Sequence, residues 1–161
     1  MSRYPLEAIR SLRLRKQDEA ERKLAAARVV EEQQRQEVKN TEKALRDYLE
    51  WIKREADRLF STIVGELNPI HKVMDITKQI EWNRNHQSTY VVAVDEAKKK
   101  LQEAQAETVA CRQEQEKAYK EVWKINQHRE IWLHEEALQE ERDEEAELEE
   151  VASTIFAMHA H

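Results

Sequence analysis

The chain holds one glycine, Gly65, two prolines, Pro5 and Pro69, and one cysteine, Cys111, among 161 residues. Average usage, about 7% glycine and about 5% proline, would put roughly twenty such backbone breakers in a compact fold of this length. Their near absence excludes a structure with many turns. It also excludes a phosphate-cradling loop of the GxxxxGK[ST] kind, and nucleotide hydrolysis by that route. A lone cysteine cannot close an intramolecular disulfide, and the opening MSRYPLEAIRSLRLR has arginines where a secretory signal has its apolar core. No run approaches the roughly 20 apolar residues of a membrane span; the longest uncharged stretches are QSTYVVAV and VASTIFAMHAH. These absences together point to the cytoplasm, with no membrane insertion.

What is present is charge and helix-forming composition. Charged residues make up 37% and aromatics 6% of the chain, with Glu, Gln, Lys, Arg, Ala and Leu prominent and apolar residues regularly spaced. That pattern predicts long helices rather than disorder. Pro5 suits a first helical turn, where its missing N–H has no partner to lose. A first helix is expected over about residues 6–64 and a turn over about 65–69. Gly65 would supply a left-handed stop, Asn68 a cap and Pro69 the next first turn. A second, longer helix is expected over about 70–155. The stretch STYVVAV, residues 88–94, has strand-like propensity, yet it lacks flanking turn signals and any second strand, so helix is the stronger reading.

Helices this long need an apolar face to pack. Val38, Leu45, Ile52 and Leu59 recur every seven residues, flanked by Leu49, Ala56 and Ile63. The second helix opens with Val73, Ile76 and Ile80 and continues through Val94, Ala97, Leu101, Ala104, Cys111, Ala118, Val122, Ile125 and Trp132. Sustained seven-residue spacing predicts a left-handed coiled coil, and the short turn makes its partners antiparallel. The fold class expected is therefore all-α: a single antiparallel coiled-coil hairpin over 1–161, monomeric by itself. A turn near residue 67 sets Trp51 beside Trp82, Tyr48 beside His86 and Tyr4 near Glu130, within about one heptad. Residues past about 132 then lack a partner from the first helix.

Charge is unevenly placed. Glu130 to Glu150 holds eleven acidic residues against Arg142 alone, whereas residues 1–30 carry eight Lys or Arg against four Asp or Glu. The net charge of −6 disfavours nucleic acid as a partner. No two of the six histidines have the i, i+4 spacing of a helical zinc site, and Cys111 has no companion ligand, so no metal or other cofactor is expected. A two-helix structure also offers no enclosed pocket for acid–base catalysis, and no enzyme is expected. Binding remains. Four tryptophans are many for so little core, and Tyr48, Trp51, Trp82 and His86 form a candidate partner patch.

RYPLEAI at Arg3–Ile9, leading into a basic helix, and HREIW at His128–Trp132, leading into HEEALQEERDEEAELEE, resemble the central-stalk proteins of bacterial type III secretion systems, the YscO and CdsO group, similar in role to flagellar FliJ. The resemblance implies a coiled-coil stalk whose terminal end enters the hexameric secretion ATPase, stimulates it and links it to the export gate, with export chaperones as partners of some members. On that reading Arg3, Tyr4, Leu6, Arg10, Arg13, Arg15, Lys16, His128 and Trp132 meet the ATPase. Tyr48, Trp51, Trp82 and His86 meet the export gate or a chaperone. A self-associating coiled-coil tether is the alternative.

Overall fold

The computed structural model describes residues 2–65, 67 and 70–160. Among these there are two helices, α1 at Glu7–Ser61 and α2 at Ile70–His159, and no strand. The two pack against each other as a helical hairpin with the second helix longer. STYVVAV is helical throughout. Asn68 and Pro69, assigned above as cap and first turn, lie outside the described residues.

Local chemistry moves the helix ends slightly from expectation. Pro5 and Leu6 form a turn before α1, with the Glu7 amide donating to the Tyr4 carbonyl at 3.3 Å and the Arg10 amide to the Leu6 carbonyl at 3.0 Å. The far end of α1 stops at Ser61 rather than Val64. The Ser61 and Thr62 hydroxyls donate to the carbonyls of Arg58 and Leu59, both at 2.6 Å, competing with the regular ladder. Thr62 and Ile63 then bond three residues back, and Gly65 follows in the left-handed region at φ 84°. At the other end α2 runs on to His159, past the expected 155.

Contacts divide the chain into two units: 1–23 with 112–161, and 24–111. In the first unit Tyr4, Ala20, Val122 and Ile125 are buried. Tyr4 meets His128 while Glu21 meets Tyr119, so numbers rise along α1 as they fall along α2, as antiparallel pairing requires. In the second unit Leu24, Ala27 and Cys111 form one buried cluster, and Val38, Ile80, Val94, Ala97 and Ala104 are also buried. Glu42 pairs with Lys98 and Tyr48 with Asn83, again antiparallel. The seam thus extends back along α1 to Leu24 and Ala27, earlier than the heptads beginning at Val38, whereas Val73, placed on the seam by spacing, is exposed.

Candidate functional site

The first unit carries the basic opening of the chain. Tyr4, just before α1, keeps only 6% of its surface exposed. Its hydroxyl lies 2.6 Å from Nδ1 of His128, and its ring lies 5.8 Å from the His128 ring and 5.4 Å from the Trp132 ring, both tilted. RYPLEAI and HREIW therefore meet, with Tyr4 between the two aromatic residues flanking Glu130. Leu6 is half-buried at the head of α1. Two arginines turn inward. Arg10 donates from Nε to Oδ1 of Asn126 at 3.0 Å and pairs with Glu7 at 3.1 Å. Arg13 donates to the Glu121 carbonyl at 3.1 Å and pairs with the Glu121 carboxylate at 3.3 Å.

Electrostatics in this unit follow from those pairings. The Lys124 hydrogen bond, and next its charge, hold the Glu121 carboxyl below the usual value, with Arg13 and Lys16 adding smaller contributions against desolvation. The Tyr119 hydroxyl donates to the Glu21 carboxylate; that bond first, then desolvation and the charges of Glu21 and Asp18, push the Tyr119 phenol above its ordinary value. Arg3, Arg15 and Lys16 stay exposed. From residue 137 onward α2 is exposed throughout its described length, through the acidic run and on to Leu148, Val151, Ile155, Phe156 and Met158.

The second unit carries the aromatic group. The Tyr48 hydroxyl donates to the Asn83 carbonyl at 2.7 Å, tying α1 to α2. Its ring stacks on Tyr90 at 4.3 Å and 16° and on Trp51 at 5.6 Å and 27°, and meets His86 edge-on at 6.0 Å. Trp82 stacks on His86 at 5.0 Å and 6°, and His86 meets Tyr90 edge-on. Desolvation, and second Tyr90, push the Tyr48 phenol up. Below the rings Asn83, 2% exposed, accepts from Gln79 Nε2 at 3.1 Å. Trp51 and Trp82 remain 40% and 59% exposed.

The family model described as "Type III secretion protein YscO" matches residues 4–154. The chain belongs to the YscO family. CT670 of Chlamydia trachomatis, assigned as a YscO homolog, has a solved structure that superposes with a TM-score of 0.83, at 23% identity, over 99% of this chain and 98% of that one. At that identity the likeness shows a shared fold. No curated protein matches.

In this YscO-family chain the predicted residues form two groups, one per unit. Tyr4, His128 and Trp132 come together in one, and Tyr48, Trp51, His86 and Trp82 in the other, where each tryptophan stacks on a Tyr or His ring. Tyr90 and Asn83 were missed by the sequence reading. The signal for Tyr90 was its place four residues after His86, on the same helical face. Among the described residues no cluster of His, Cys, Asp or Glu could hold a metal, and no helix is long and apolar enough to cross a membrane.

Proposed function

We propose that this type III secretion protein is the central stalk of its apparatus, a non-enzymatic chain that docks its terminal unit into the hexameric secretion ATPase at the cytoplasmic base and stimulates it. The observation that carries the reading is the juxtaposition in the first unit. The Tyr4–His128–Trp132 contacts hold the start of the chain on α2 at the near end of the exposed acidic run, with Arg3, Arg15 and Lys16 exposed along the basic stretch. Separated surface charge of this kind steers a partner's approach and fixes its register. An asymmetric insert in a six-fold ring meets its subunits unequally, so it shifts their nucleotide states through differential affinity. Arg10 and Arg13, occupied with Asn126, Glu7 and Glu121, act by holding that end together.

The aromatic group of the second unit, Tyr48, Trp51, Trp82 and His86, is the surface for the export gate or an export chaperone, since two tryptophans lie open on a face already packed from beneath. Reversing Arg15 and Lys16 to Glu tests the ATPase reading. Stimulation should be lost while the far-ultraviolet circular dichroism stays unchanged; full stimulation by the folded variant refutes it.

A further inference from the structure

We propose that the shallow depression lined by Ala44, Asp47, Tyr48, Trp51 and Tyr90 is an arginine-binding site, where a partner segment lays one arginine on the exposed Trp51 ring and gives its guanidinium to Asp47. The proposal rests on the reading of the aromatic group as a partner surface and names the chemistry that surface selects. The depression has a volume of about 470 Å³ and its lining holds one acid and no base. Three of the five lining residues are aromatic, and Trp51, Tyr48 and Tyr90 form a continuous stack with small interplanar angles.

Asp47 is exposed and makes no ion pair or hydrogen bond among the described residues. Two nearby acids of the same helix are engaged, Glu42 with Lys98 and Glu55 with Arg58. An open carboxylate next to the open Trp51 ring is complementary to a planar, weakly hydrated cation that stacks and donates in one geometry. A lysine matches the charge and lacks the plane. A purely apolar side chain would cover the rings and desolvate the carboxylate without a donor. The polar rim and aromatic floor thus select arginine by two independent contacts.

The test uses the full chain, labelled with ¹⁵N, with the Trp51 indole N–H signal identified by its loss in Trp51→Phe. It is titrated with the peptide acetyl-Ala-Leu-Arg-Leu-Ala-amide and with its lysine and citrulline counterparts. The arginine peptide should move the Trp51 signal and bind at least about fivefold more tightly than either counterpart. Asp47→Asn should reduce it to the citrulline level. Added salt should weaken the arginine peptide and leave the citrulline peptide unchanged, which reads out the same charge contact in the unaltered chain. Equal binding of the three peptides, no shift with any of them, or a preference that survives both Asp47→Asn and high salt overturns the proposal. The underlying reading fails separately, if gate and chaperone binding survive Trp51→Ala.

Discussion

Replacing Tyr4 should loosen the end of the molecule that carries the basic segment. A buried tyrosine ring of this exposure removes roughly 150–200 Å² from water, which at about 25 cal/mol per Å² sets an upper value of about 5 kcal/mol. Alanine keeps a little of that burial, and a segment ahead of the first helical turn can fray without unfolding the body of α1, so Tyr4→Ala should cost about 2–3 kcal/mol. The hydroxyl–imidazole bond at 2.6 Å accounts for about 1 kcal/mol, the expected cost of Tyr4→Phe. Adding His128→Ala to Tyr4→Phe should then show a coupling of about 1 kcal/mol between the two sites. Urea unfolding followed by circular dichroism gives these differences. Hydrogen exchange at the Arg10 amide, bonded to the Leu6 carbonyl, reports the local loosening. If Tyr4→Ala unfolds at the parent's midpoint and that amide exchanges no faster, Tyr4 does not fasten the chain start to α2 and the reasoning fails.

Two other outcomes are expected. The Tyr119 phenol is raised in the folded chain, so its contribution to stability is fully present below the ordinary value of 10.0 and is lost as pH rises through the higher folded value. Tyr119→Phe should therefore flatten the alkaline decline in melting temperature and leave the neutral-pH curve shape alone; an unchanged decline assigns it to other groups. Gly65 lies at φ 84° and a Cβ there would meet nothing within 4 Å, so Gly65→Ala should cost about 1 kcal/mol from backbone strain alone and Gly65→Asn less, measured by thermal unfolding. Equal stability of the three would mean that the turn relaxes out of the left-handed region.

Much of this fold is legible in the sequence because its two governing signals are local. A single glycine fixes where direction changes, and seven-residue spacing fixes which residues turn inward, so Val38, Ile80, Val94, Ala97, Ala104, Cys111, Val122 and Ile125 are buried as their spacing implies. The misses share a cause, which is reading a residue by its class instead of its position. Asn83 and Thr108 are polar, so apolar spacing does not mark them, yet both are buried, one bonded to Gln79 and the other to the Ala104 carbonyl. Charge counting likewise does not show that the long side chains of Arg10 and Arg13 reach across to α2. Tyr90 was weighed for strand propensity, which says nothing about a ring 4.3 Å away on the opposite helix. The tandem hydroxyls that end α1 at Ser61 act through side-chain bonds that apolar periodicity does not register.

The reversal between α1 and α2 also biases the order in which contacts form. The Tyr48–Asn83 bond closes a loop of 35 residues and the Tyr4–His128 bond one of 124. Chain-closure entropy makes the wider loop costlier by about 1 kcal/mol. Closure is thereby favoured from the reversal outward, with the tyrosine–histidine contact forming after the tyrosine–asparagine one. The stretch bearing the outward arginines is thus expected to join α2 after the aromatic stack has formed.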